Sequence, residues 1–144
     1  MKSVQDILSQ KGTEIWSVSP NVKVFDALKL MAEKNIGAVL VIDGKEIKGL
    51  LSERDYARKV ALEGKSSREL LVKDIMSQKV LFVTPDKSSE DCMTLMIEKR
   101  IRHLPVLEEE ELKGIISIGD VMKAVLDHKE HTIDQLEQYI TNRR

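Results

Sequence analysis

Apolar residues along this chain fall into short runs and helical stripes, and the same order of runs and stripes occurs twice. Ala38 to Ile42 is an apolar run of strand length. Asp43-Gly44 after it is a hairpin signal, and a second strand follows from Ile47 to Leu51. Leu104 to Leu107 and Leu112 to Ile116 repeat that pair, with the acidic run Glu108 to Glu111 as a solvated turn between them. Ahead of each pair lies a stripe at helical spacing: Val24, Ala27, Leu28 and Met31 in one case, Cys92, Met93, Met96 and Ile97 in the other. A brief strand precedes each stripe, Ile15 to Val18 or Val80 to Val83. It ends on Ser19-Pro20 or Thr84-Pro85, where proline disfavours helix at the residue before it. Short helical turns lead in, Val4 to Leu8 and Val72 to Met76, and a last helix starts at Ser52 or Ser117. Each unit therefore reads β-α-β-β-α.

A shift of 65 residues lays the chain on itself without a gap from Val18 to Leu62. Leu30-Met31 falls on Leu95-Met96, Glu33-Lys34 on Glu98-Lys99, and Lys48-Gly49 on Lys113-Gly114. The lead-in segments Val4 to Ser9 and Val72 to Ser77 also match, with a short insertion in the first repeat around Gly12 to Ile15. The expected organisation is a first repeat over 1–64, a second over 65–127, and a linker with an amphipathic helix over 128–144. In that tail, Thr132-Ile133-Asp134-Gln135 has the form of a capping box, and Ile133, Leu136 and Ile140 make an apolar stripe beside Tyr139. The fold class is α/β (α+β). One such unit buries little surface by itself, so two copies packed about a pseudo-twofold axis are expected, with ligand clefts between them.

Charge narrows the function. Lys and Arg number 23 against 24 Asp and Glu, so no basic field invites nucleic acid. No apolar stretch approaches the roughly 20 residues that span a bilayer, and the first residues lack the apolar core of a signal peptide. A cytoplasmic protein is expected. The lone Cys92 excludes an intrachain disulfide and falls on an apolar helix face, as a core thiol would. His128 and His131 have no cysteine or third histidine near them, so a solvated linker and no metal are expected. No phosphate loop, dinucleotide fingerprint or nucleophile elbow is present. With no nucleophile or activated base to name, the chain does not read as an enzyme.

Gly-apolar-apolar-Ser-x-x-Asp occurs twice, as GLLSERD from Gly49 to Asp55 and GIISIGD from Gly114 to Asp120. A carboxylate can accept hydrogen bonds from two vicinal hydroxyls, as acidic residues do in reading ribose. A serine at a helix start sits where free N–H groups favour an anion. Glycine allows close backbone approach. The same Ser-x-x-Asp is also a helix cap that needs no ligand.

With its repeat, element order and motif, the chain from Val4 to Val125 resembles the cystathionine-β-synthase-type (CBS) domain family, in the form of a stand-alone tandem pair, or Bateman module. The resemblance implies that adenine nucleotides bind between the repeats, with Asp55 and Asp120 on ribose hydroxyls and Ser52 and Ser117 on ribose or phosphate. Arg102-His103-Leu104-Pro105-Val106 resembles phosphate-contacting positions of nucleotide-binding members, whereas Gly37 and Ala38 at the matching place leave room for a ring. Arg54, Arg102 and His103 are the candidate phosphate ligands. Ser19-Pro20 and Thr84-Pro85 would border the nucleoside, or simply make turns. Trp16 and Tyr56 are stacking platforms or core residues.

The implied function is a regulatory module that senses AMP, ADP or ATP, or the adenylate part of NAD or S-adenosylmethionine. It would form a homodimer and act on a regulated protein that the chain does not reveal. The alternative is a scaffold of the same fold that binds no nucleotide.

Overall fold

The computed structural model describes residues 1–142, excepting the side chains of 131–133, 136 and 139–142. The apolar stripe of Ile133, Leu136, Tyr139 and Ile140 lies outside the described residues. The chain divides into two compact units whose boundaries differ from those of the sequence repeats. One unit is Ile15–Val80. The other joins Met1–Glu14 to the chain from Leu81 onward. Each repeat thus carries the lead-in helix that precedes the other in sequence.

In the first-repeat unit, β1 (Ser17–Val18) runs parallel to β2 (Ala38–Asp43), which pairs antiparallel with β3 (Glu46–Ser52). Asp43 lies opposite Glu46, leaving a two-residue turn in which Gly44 takes φ +65°. Between β1 and β2 lies α2 (Val24–Lys34), closed by Asn35 in a left-handed conformation. After β3 comes α3 (Glu53–Tyr56), which passes into a π-helical turn at Ala57–Ala61, and then α4 (Val72–Ile75). Val24, Ala27 and Met31 bury against Val39, Val41, Leu51, Val60, Val72 and Ile75.

The second-repeat unit has α1 (Val4–Lys11), α5 (Ser89–Lys99), β4 (His103–Glu108), β5 (Glu111–Ser117) and α6 (Ile118–Asn142). Ser3 caps α1 and Ser88 caps α5 through the N–H groups of Asp6 and Asp91. Cys92 and Met96 bury with Val4, Ile7, Leu8, Leu104, Val106, Ile116 and Val121. Ile97 does not join them and stays 65% exposed. At about 100° per residue it stands well off the direction that Cys92 and Met96 share.

The expected strand over Val80 to Val83 shrinks to one parallel bridge, Val83 to Val106. Proline is the reason. Leu40 donates its N–H to the Trp16 carbonyl at 3.4 Å, whereas the matching Pro105 has no N–H to give. The tail also differs from expectation. The helix does not begin anew at Thr132; α6 continues through it to Asn142. No Gly or Pro occurs from Val121 to Asn142, so nothing local stops it.

The lead-in helices dock by matching bonds. Val4 and Gln5 donate to the carbonyls of Lys87 and Pro85, at 2.8 and 2.9 Å. Val72 and Lys73 donate to those of Val22 and Pro20, at 2.9 and 3.0 Å. The two helices differ in length, with eight residues in α1 and four in α4. The extra residues of the first repeat let α1 reach Lys11 before Gly12 ends it at φ +100°.

Candidate ligand site

Each Gly-x-x-Ser-x-x-Asp motif spans the end of a strand and the start of a helix. The Ser52 hydroxyl accepts the Asp55 N–H at 3.1 Å, and the Asp55 carboxylate accepts the Ser52 N–H at 3.0 Å and its hydroxyl at 3.0 Å. Ser117 and Asp120 make the same reciprocal cap, at 3.2 and 2.8 Å. The capping role is therefore real in both copies, worth about 1 kcal/mol each. It also fixes each carboxylate over the first helical turn.

The motif glycines allow close approach, but by the protein's own chain. A Cβ at Gly49 would lie 2.6 Å from the Ser77 carbonyl oxygen and 3.0 Å from the Met76 sulfur. One at Gly114 would lie 2.7 Å from a Leu8 methyl. In both units the lead-in segment fills the space over the glycine.

Ala38 pairs with Ser52 across β2 and β3, and Gly37 accepts the Glu53 N–H at 3.0 Å. Likewise His103 pairs with Ser117, and Arg102 accepts the Ile118 N–H at 2.8 Å. Gly37, Ala38, Ser52 and Asp55 thus come together in one unit, and Arg102, His103, Ser117 and Asp120 in the other. The Arg54 and Arg102 side chains are exposed, with no ion pair among the described residues. Pro105 is buried in β4, where its carbonyl accepts the Val83 N–H at 3.1 Å. Ser19 and Thr84 make turns. The Ser19 hydroxyl accepts the Asn21 N–H at 3.2 Å, and Thr84 donates to Asp86. The Pro20 and Pro85 carbonyls accept from the lead-in helices, as described above. Trp16 and Tyr56 pack on the first-repeat core, with the Lys34 ammonium 4.2 Å over the Trp16 ring. A surface concavity of about 500 Å³ in that unit is lined by Asn21, Val22, Lys23, Phe25, Asp26 and Arg68, without Ser52 or Asp55.

Two lysines that the motif does not specify complete the picture. Lys11, the last residue of α1, donates to Asp120 at 2.6 Å and to the Ile115 carbonyl at 2.8 Å. Lys59 lies 3.4 Å from Asp55 and donates to the Ile75 carbonyl at 2.9 Å. Lys59 was legible as an i, i+4 partner of Asp55. Lys11 was not, because it lies 109 residues from Asp120.

Burial would raise the Asp120 carboxyl, but hydrogen bonds from Lys11 and Ser117 and the Lys11 charge outweigh it and hold it below its usual range. Burial chiefly, then Lys11 and more weakly Arg102, lower His103 against the pull of Asp120. His103 therefore stands neutral at pH 7. The Cys92 thiol is pushed up to about 11 by burial and by Asp91, so it stays protonated. Among the described residues no group of His, Cys, Asp and Glu could hold a metal ion, and no helix is long and apolar enough to cross a membrane.

A family model, the CBS domain, matches residues 4–62 and 72–127. The mitochondrial CBS domain-containing protein CBSX3 of Arabidopsis thaliana is 35% identical over 148 residues, which cover 96% of this chain and 71% of that protein. A solved protein with CBS domains from Burkholderia ambifaria is 50% identical with a TM-score of 0.84, over 88% of this chain and 95% of that one. The CBS domain pair of protein MJ0100, solved in complex with 5′-methylthioadenosine and S-adenosyl-L-methionine, is 21% identical with a TM-score of 0.76, over 90% of this chain and 98% of that one. That last likeness is one of fold alone.

Proposed function

Because the chain belongs to the CBS-domain family and carries two copies of its domain, we propose that it is a regulatory module that binds an adenosine-containing ligand through the motif aspartates and performs no chemistry on it. The carrying observation is the pair of capped carboxylates, each with a cation beside it. A capped aspartate is held in place before a ligand arrives, so a ribose need not order it. The adenosine ligands of the MJ0100 pair have the chemistry such a carboxylate would take. The set to test is AMP, ADP, ATP, NAD and S-adenosylmethionine. The protonated Cys92 and the neutral His103 accord with a role without catalysis.

Binding would transmit a signal only through unequal affinity for two arrangements of the protein. A pull-down with and without ligand tests for a receiver protein. Ile97, Met122 and Leu126 stay exposed on α5 and α6, which pack on each other, and a second copy of the chain would cover them. A homodimer is therefore expected in sedimentation. A cytoplasmic location goes with this reading; co-fractionation with mitochondria is the contrary outcome.

Calorimetry with these five adenosine compounds tests the proposal. It expects saturable heat with at least one. No heat and no thermal shift with any of them would make the chain a scaffold.

A further inference from the structure

Lys11 and Asp120 form a donor and acceptor pair with capacity left on both sides. The ammonium has three N–H groups, and two are used, on Asp120 Oδ2 and on the Ile115 carbonyl. Asp120 Oδ2 takes Lys11 and the Ser117 N–H, while Oδ1 accepts no hydrogen bond among the described residues. Both side chains reach solvent, at 34% and 25% exposure. Asp55 is more heavily engaged. Its Oδ2 takes two bonds from Ser52, and its Oδ1 faces Lys59 at 3.4 Å. The cation beside Asp120 is Lys11, and His103, which faces Lys11, Asp120 and Arg102, is neutral.

We propose that Lys11 is a specificity-determining ligand contact: its third N–H meets the anionic group of a nucleotide whose ribose hydroxyl is held by Asp120 Oδ1. This rests on the nucleotide reading above and deepens it. It makes the second-repeat motif the site that distinguishes a phosphorylated nucleoside from a bare one. It also assigns a role to α1, a helix that lies outside the sequence motif. The longer α1 is what delivers the lysine. The four-residue α4 ends at Ile75, and the matching residue, Lys79, is exposed and off the helix.

The test is calorimetry of the full chain with adenosine, AMP and ATP, on wild type, Lys11→Met and Lys11→Arg. An ammonium bond to an anion makes a difference of about tenfold in affinity. Lys11→Met should therefore weaken AMP and ATP about tenfold or more and leave adenosine within about twofold, with Lys11→Arg in between. Equal weakening of adenosine and AMP would overturn the proposal, because Lys11 would then only steady Asp120. Unchanged AMP affinity would overturn it as well. Absence of binding to wild type would instead strike the nucleotide reading on which it stands. Circular dichroism and the melting temperature of each variant separate lost contact from lost fold, and Lys11→Arg keeps the charge should Lys11→Met unfold.

Discussion

Asp55 and Asp120 carry the same reciprocal cap, yet the lysine beside each arrives from a different direction. Lys59 comes from one turn further along the chain and reaches on to the Ile75 carbonyl at the end of α4. Lys11 comes from the end of α1 and reaches forward to β5. In both units one ammonium ties the motif carboxylate to a backbone carbonyl, and in both the tie involves the lead-in helix. A repeated sequence has thus kept an interaction while changing which residue supplies it. Local pattern fixes the cap, which needs only three residues of separation. The cation depends on where the lead-in helix docks, and that is decided by tertiary packing.

The largest contrast should appear at the motif glycines. A methyl at Gly49 strikes the Ser77 carbonyl, which is backbone held by paired bonds of 2.9 Å between Leu50 and Ser77. A methyl at Gly114 strikes the end of a leucine side chain, which can turn aside. Gly49→Ala should cost about 3 kcal/mol in urea unfolding and Gly114→Ala about 1 kcal/mol. Equal losses would mean that the two lead-in segments yield alike.

Double-mutant cycles sharpen the comparison of the lysines. Lys11→Met with Asp120→Asn should show a coupling of about 1 kcal/mol, and Lys59→Met with Asp55→Asn about half of that or less. Both pairs are partly solvated, so 0.5 M salt should shrink both.

The hairpin turns differ too. Gly44 takes positive φ at little cost in the first, whereas Glu109 and Glu110 hold φ of 51° and 65° in the second. Replacing them by Asn-Gly should stabilise the protein by about 1 kcal/mol, read as a higher melting temperature, because those residues accept positive φ and four adjacent carboxylates become two. The Gly44 turn offers no such gain.

The smallest contrast is in pH. His103 faces Lys11, Asp120 and Arg102, and its folded pKa lies below the ordinary 6.5. The unfolded chain then binds the proton more readily, so stability is full above about pH 6.5 and falls as pH drops toward the folded value. Ala38 holds the matching place in the first repeat and contributes nothing. The melting temperature of His103→Gln should fall less than that of wild type between pH 7 and pH 5.

Much of this was legible in the sequence. The repeat, the helical stripes and both antiparallel strand pairs followed from periodicity, since burial on one face imposes period 2 or 3.6. Asp55 and Asp120 were found because their spacing recurs. What stayed hidden depended on the path of the chain. The exchange of lead-in helices cannot be read from matching segments, because a helix that suits one repeat suits its copy. Lys11 was hidden for the same reason. Pro105 stands in the candidate phosphate segment, but its missing N–H, which cuts the neighbouring strand to a bridge, is a pairing effect. The tail read as separate because Thr132-x-x-Gln135 imitates a cap, although no breaker precedes it.

The most direct test of the account is a calorimetric titration of wild type, Asp55→Asn and Asp120→Asn with the tightest nucleotide of the set. Asp120→Asn should weaken binding at least tenfold, and Asp55→Asn should weaken it less. If both variants bind as wild type does, the capped aspartates are structural and the ligand reading of the motif is wrong.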